Sequence, residues 1–195
     1  MVRLFVAMGI PQEAIDALAG VIGKLKAKGV SQVRWSKPEA IHLTLKFLGE
    51  VDATRAASTN IEALVGAMER AARGTGPLRL GLAGLGGFPD LTSPRVVWAG
   101  LTGDVEKVVE LAARVDRELE QAGGFRREER PFAPHLTLGR LREGASGAQR
   151  RQVGEVMARM EGLEEVWWQA EALWLVQSTL TPEGPIFATV GQCVL

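Results

Sequence analysis

His42-Leu43-Thr44-Leu45 recurs as His135-Leu136-Thr137-Leu138, and these are the only two histidines in a chain of 195 residues. In a strand, residues i and i+2 share a face, so each tetrapeptide sets its histidine beside its threonine on one side and its two leucines on the other. The leucines read as core anchors and the His-Thr pairs as a functional face. Each copy lies in a stretch that reads as a strand, Ile41 to Leu48 and Phe132 to Leu141, and each is followed by a helical pattern. If the repeat reflects two similar lobes, a pseudo-two-fold axis brings both pairs together across a cleft.

Outward from the repeat, Val2, Leu4, Val6 and Met8 alternate with Arg3, Phe5 and Ala7, largely apolar on both faces, as in a strand central to a sheet. Pro11 opens a helix carrying Ile15, Leu18, Ile22 and Leu25 that stops at Gly29, and Val33 to Trp35 reads as a short strand. Asp52 is the expected N-cap of a second helix with Ile61, Leu64, Val65 and Met68 on one face. Leu78, Leu80 and Leu82 alternate ahead of a glycine-rich turn at Gly84, Gly86 and Gly87, and Arg95 to Leu101 is another strand. Val105, Val108, Ala112, Val115 and Leu119 mark a third helix closed by Gly123 and Gly124, and Val153, Val156, Met157 and Met160 a fourth. Leu173 to Gln177 and Ile186 to Val190 close the chain around the turn Thr181-Pro182-Glu183-Gly184. This order predicts an α+β fold with largely antiparallel pairing, and with no linker or low-complexity stretch residues 1–195 are expected to form one domain.

Composition removes whole classes of function. Lys plus Arg and Asp plus Glu both number 23, so the molecule has no long-range field to gather nucleic acid, and any such contact must be local. Cys193 stands alone, which rules out an intramolecular disulfide and a thiolate metal cluster. Two histidines with no carboxylates on their faces fall short of a metal site, so no metal is expected from the residues. No apolar run approaches the roughly 18 residues that span a bilayer, and no signal-peptide pattern precedes Pro11. A cytoplasmic protein without membrane contact is the expectation.

Two imidazoles facing each other suit phosphoryl chemistry in which one deprotonates a nucleophile and the other protonates a leaving oxygen. The threonine hydroxyls can donate to non-bridging phosphate oxygens. The competing reading of a strand histidine is a satisfied, partly buried side chain, but here both histidines would have to be structural within one shared motif.

The two segments resemble the paired signature of the 2H phosphoesterase superfamily. The flanks narrow the resemblance to the RNA 2′,3′-cyclic phosphodiesterases, also called 2′-5′ RNA ligases: Met1 to Ala7, Trp35 and Pro38, Ile41 to Glu50, Gly87-Phe88-Pro89, Pro94 to Trp98, and Phe132 to Arg140. The resemblance implies a bilobal fold of two pseudo-symmetric lobes, with helices outside largely antiparallel sheet and a central cleft. It implies hydrolysis, with no metal or nucleotide cofactor, of a terminal 2′,3′-cyclic phosphate on an RNA or oligonucleotide to a 2′-phosphate, with His135 as base and His42 as acid; a monomer is expected. The reverse direction joins such an end to a 5′-hydroxyl. Other cyclic or 2′-5′ phosphodiesters, and a non-catalytic RNA-end binding module, are the alternatives, although both His-Thr pairs are intact.

Neighbouring residues extend the candidate site. Lys46 shares strand parity with His42 and Thr44, which aims it at the cleft unless it turns to solvent at the strand end. Arg140 is the phosphate partner the resemblance implies, yet strict alternation sets it opposite His135 and Thr137; a bulge at Gly139 would re-aim it. Arg126, Arg127, Arg130, Arg140 and Arg142 outnumber Glu128, Glu129 and Glu143, either as a patch that receives RNA or as a solvated turn. Trp35 and Phe88 are the expected base-stacking residues, whereas Trp98 reads as core packing.

Overall fold

The two apolar faces of the first strand serve different surroundings. In β1, Val2–Met8, the side chains of Leu4, Val6 and Met8 enter the main core, while Phe5 and Ala7 join Val176 in a small second cluster against Trp174 and Phe187. The computed structural model describes residues 2–51, 61–160, 163–181 and 184–195. Helix α1, Gln12–Ala27, buries Ala14, Leu18, Val21, Ile22 and Leu25, a helical stripe in which Ala14 is buried and Ile15, expected there, is only partly so. The short strand β2, Val33–Trp35, and a 3₁₀ turn, Pro38–Ala40, lead into β3, Leu43–Val51. Then follow α2 (Ile61–Ala72), β4 (Leu78–Phe88), β5 (Val96–Gly103), α3 (Val105–Gly123), β6 (Leu136–Leu141), α4 (Gly147–Ala158), β7 (Trp167–Ala170), β8 (Ala172–Thr181) and β9 (Gly184–Val194). The expected Asp52 cap and the Pro182-Glu183 turn lie outside the described residues.

Among the described residues, all nine strands belong to one antiparallel sheet, ordered β7-β4-β5-β6-β3-β1-β8-β9, with β2 on β6. The order is symmetric about its middle. From the centre outward, β6-β5-β4 on one side answers β3-β1-β8 on the other, and β5-α3-β6-α4 repeats the β1-α1-β3-α2 order of the first half. After each repeat the chain crosses over: β4, which follows α2, pairs with β5, and β8, which follows α4 and β7, pairs with β1. The two expected lobes are therefore interlocked halves of one sheet rather than two separate sheets.

The glycine-rich segment differs from its expected turn. Strand β4 runs through Gly84, Gly86 and Gly87 to Phe88 because its glycines are sites of close approach as well as flexibility. A Cβ on Gly86 would stand 2.1 Å from the ring of Trp98, and one on Gly81 would stand 2.9 Å from Trp167. Each indole occupies the space where the paired residue on the neighbouring strand lacks a side chain. Strand β7 carried no expectation, since Trp167 and Trp168 alone form too short a pattern to read.

Candidate active site

Each histidine stands one residue before its strand, and the two motifs meet at a backbone pair, Leu43 with Leu136. Both leucines are buried at 1% and 0% exposure, so by alternation His42, Thr44, His135 and Thr137 all stand on the opposite face. In antiparallel register that pair carries Thr44 toward His135 and His42 toward Thr137. The structure thus brings together the four residues of the repeated motif.

The two imidazoles are held alike. His42 Nδ1 lies 2.8 Å from the carbonyl of Ala40, and His135 Nδ1 lies 2.7 Å from that of Ala133. A carbonyl only accepts, so Nδ1 carries the proton in each ring and Nε2 is left to exchange one. The spacing is the same in both copies, which extends the repeat to Ala-x-His-Leu-Thr-Leu; the alanines were visible in the sequence, but their backbone role was not. Local structure differs: the 3₁₀ turn at Pro38–Ala40 presents one carbonyl, and Pro134 biases Ala133 toward an extended conformation to present the other.

Aromatic rings wall both histidines. Phe5 stacks on His42 with centroids 4.7 Å apart and planes at 17°, while Phe187 meets it edge-on at 5.3 Å. Phe88 meets His135 edge-on at 4.8 Å, with Trp98 at 6.2 Å. Phe88 therefore stands on the face of His135, and Trp98, expected in the core, belongs to the same face. Phe5 and Phe187 were missed because nothing in their local pattern distinguishes a ring facing a histidine from one facing a core. Burial pushes both imidazoles below the ordinary histidine range, against the pull of the Nδ1 bonds; at His135 the charge of Arg140 adds to the lowering.

Paired bulges decide which neighbours join them. Thr44 pairs with Ala7 but Lys46 with Val6, leaving Leu45 as an extra residue; Thr137 pairs with Trp98 but Gly139 with Val97, leaving Leu138 extra. In both strands the fourth residue of the tetrapeptide reverses the parity that follows. Arg140 returns to the face of Thr137, opposite Val96, so the bulge expected near Gly139 is present. Gly139 itself lies under β2, where a Cβ would come within 2.5 Å of Val33.

The same device overturns the expectation for Lys46. It is 2% exposed on the core side, where its ammonium pairs with Asp116 and donates to the Arg126 carbonyl at 2.8 Å. Phe47 takes the cleft-side position instead, opposite Phe5 and 58% exposed, as the counterpart of Arg140. Trp35 is also corrected: paired with Gly139, it faces and packs against the main core. In the basic segment, Arg126 pairs with Glu129 and Arg127 with Asp116 at 3.4 Å, so these two charges are taken up locally, as in a solvated turn.

Among the described residues, no three of His, Cys, Asp and Glu converge to hold a metal ion, and no helix is long and apolar enough to cross a membrane. What the face offers is two proton-exchanging Nε2 atoms, two hydroxyls and a guanidinium. This set can receive a phosphodiester anion, deprotonate a nucleophile on one side of it and protonate a leaving oxygen on the other.

Comparison with known proteins agrees with that chemistry. The chain matches the family model described as LigT like Phosphoesterase over residues 8–98 and 103–187, one His-Leu-Thr-Leu copy in each stretch. It belongs to the LigT-like phosphoesterase family. The RNA 2′,3′-cyclic phosphodiesterase of Archaeoglobus fulgidus is 34% identical, the match covering 95% of this chain and 96% of that protein. The protein of the same name from Aquifex aeolicus is 30% identical over 100% of this chain and 98% of its own length. A crystal structure from Thermus thermophilus, that of the protein TT0787, superimposes with a TM-score of 0.72 at 28% identity, covering 99% of this chain and 97% of that one.

Proposed function

We propose that this chain opens the 2′,3′-cyclic phosphate at the end of an RNA to a 2′-phosphate, using His135 as base and His42 as acid. The observation that carries the reading is the duplicated Ala-x-His-Leu-Thr-Leu unit, with its two Nδ1-anchored imidazoles on one face beside the Leu43–Leu136 pair. The names of the full-length relatives support the substrate. Water attacks phosphorus and gives its proton to Nε2 of His135; the bond from phosphorus to the 3′ oxygen breaks, and that oxygen takes the proton from Nε2 of His42. Solvent then restores both imidazoles.

Arg140 supports the assignment of the base, since a cation beside His135 favours its neutral form. Thr44, Thr137 and Arg140 bind the non-bridging oxygens, and Phe88 borders the terminal nucleoside. A 5′-hydroxyl in place of the water forms a 2′-5′ linkage by the same proton transfers. The protein acts as a cytoplasmic monomer on RNA ends. Purified protein should convert a 2′,3′-cyclic oligonucleotide to the 2′-phosphate in excess chelator; a product with a 3′-phosphate, or activity that returns only with a divalent ion, overturns the reading.

A further inference from the structure

Beyond His135 the cleft face carries a second basic residue with no part in the proton transfers. Strand β2 pairs with β6 so that Arg34 stands directly across from Arg140, and residues directly opposite in an antiparallel pair share a face. The row continues through Val96 to Phe88, the ring that touches His135, so Arg34 lies on the same side of the sheet as the histidine. Its neighbours on β2, Val33 and Trp35, pack on the core side, whereas Arg34 and Arg140 are both exposed.

The pairing is electrostatically unfavourable as it stands. Like charges directly opposite on a sheet repel, and among the described residues neither arginine forms an ion pair. The nearby arginines of the 126–127 segment, in contrast, have carboxylate partners. Two unpartnered guanidiniums side by side offer planar donor forks suited to phosphate oxygens. The bulge at Leu138 sets Arg140 on the face of Thr137, on the side of the phosphate that reacts. Arg34 is one strand further from the histidine, about 5 Å across the ladder. An RNA that ends in a cyclic phosphate has its next anion one nucleotide back, on the 5′ oxygen of the terminal ribose.

We propose that Arg34 binds this penultimate phosphodiester, so that the site takes an oligonucleotide end in preference to a cyclic mononucleotide. The proposal rests on the cyclic-phosphate reading above and narrows it to a substrate class. It also explains how a chain without net charge engages RNA: the attraction is confined to one row of the sheet.

The test compares Arg34→Ala and Arg34→Lys with the parent on a 2′,3′-cyclic mononucleotide and on a trinucleotide ending in the same group. The parent should favour the trinucleotide. In Arg34→Ala the ratio of the two kcat/KM values should fall about tenfold, and Arg34→Lys, which keeps the charge without the fork, should restore part of it. Equal losses on both substrates would assign Arg34 to the reacting phosphate, and no loss on either would leave it outside the site; both outcomes overturn the proposal. A separate measurement keeps this result distinct from the catalytic reading: binding of a 2′-phosphorylated trinucleotide against salt concentration needs no turnover. Loss of one phosphate contact should lower the slope of log Kobs on log salt by about 0.7 for a single strand. An unchanged slope, or one lowered equally for a 2′-phosphorylated mononucleotide, overturns the Arg34 assignment even if hydrolysis is confirmed, and a slope lowered for the trinucleotide alone upholds it even if the parent proves to hydrolyse neither substrate.

Discussion

Leu43 and Leu136 form the backbone pair that joins the two halves of the sheet, and each is the residue immediately after a histidine. The sheet is thus stitched together at the motif it displays. Two side chains buried in the core fix the parity of the four polar residues on the other face, so register and site geometry are one constraint.

The threonines should matter to turnover and little to folding. Both are partly exposed on the cleft face, and each has one hydroxyl able to donate to a phosphate oxygen. Thr44→Ala and Thr137→Ala should each reduce transition-state stabilisation by about 1 to 3 kcal/mol, read from kcat/KM, with unfolding midpoints close to the parent's. Parental kcat/KM in both variants would remove the hydroxyls from phosphate binding.

Arg140 and Arg126 differ in circumstances that kinetics can separate. The bulge at Leu138 returns Arg140 to the face of Thr137, whereas Arg126 is engaged with Glu129. Arg140→Ala should raise KM for the cyclic phosphate roughly tenfold or more, as expected for a lost charge-assisted hydrogen bond. Arg126→Ala should change it little. Similar small effects at both positions would point to a diffuse surface charge instead.

Lys46 illustrates what the sequence could and could not disclose. The repeated tetrapeptide, the α+β class and the strand and helix order apart from β7 and the glycine-rich end of β4 were legible, because periodicity and the scarcity of histidine are properties of the sequence itself. The bulge at Leu45 was not, since an extra residue in a ladder depends on what the partner strand offers; without it, alternation puts Lys46 beside Thr44. For Arg140 the glycine next door supplied a local hint, and Leu45 has no such neighbour. Trp35 was misread for a related reason: its burial depends on its pairing with Gly139, a contact remote in sequence. The crossovers of β4 and β8 were equally invisible, because both lobes accept either strand as far as local pattern goes.

The buried pair also yields a stability prediction. Burial by itself raises the Asp116 carboxyl, but the Lys46 ammonium, the Glu128 amide at 3.3 Å and Arg127 more than offset this and hold it below the usual carboxylate range. Removing Lys46 leaves Asp116 with only Arg127 and the Glu128 amide as partners, so Lys46→Met should cost about 1 to 3 kcal/mol. The folded-state value is the depressed one, so the pair's stabilisation is present above the unfolded carboxyl value near 3.9 and is lost as pH falls through the lower folded value. Chemical denaturation at neutral and acid pH should show this loss in the parent and a smaller one in the Lys46→Met, Asp116→Leu double variant. An identical acid dependence in both would show that the pair does not contribute.

The histidines should leave a signature in the pH profile. Burial lowers both, so in the free enzyme each loses its proton below the ordinary value of about 6.5. The rate requires one neutral and one protonated imidazole, so kcat/KM should be bell-shaped with its optimum on the acid side of about 6.5. A bound phosphate anion favours the imidazolium, so the profile of kcat itself should lie at higher pH. The neutral forms stabilise the fold above about 6.5, and that contribution is lost as pH falls through the lowered folded values. A kcat/KM optimum well above neutrality would mean that burial does not govern these rings.

The division of labour between the histidines follows from in-line displacement, which sets the entering water and the departing 3′ oxygen on opposite sides of phosphorus. One imidazole cannot serve both. The two rings are anchored identically through Nδ1, so their difference lies in surroundings: His135 has the charge of Arg140 beside it, and His42 is enclosed by Phe5 and Phe187. Burial favours the neutral form of both rings, and the cation beside His135 adds to this there; the proposed assignment makes His135 the base and His42 the donor. A substrate whose 3′ leaving group is much more acidic needs no proton as it departs, so His42→Ala should regain a large part of its activity on it. His135→Ala should not, since water still has to be deprotonated. The reverse pattern of rescue would exchange the two roles, and parental activity in both alanine variants on the natural leaving group would end the case for histidine catalysis.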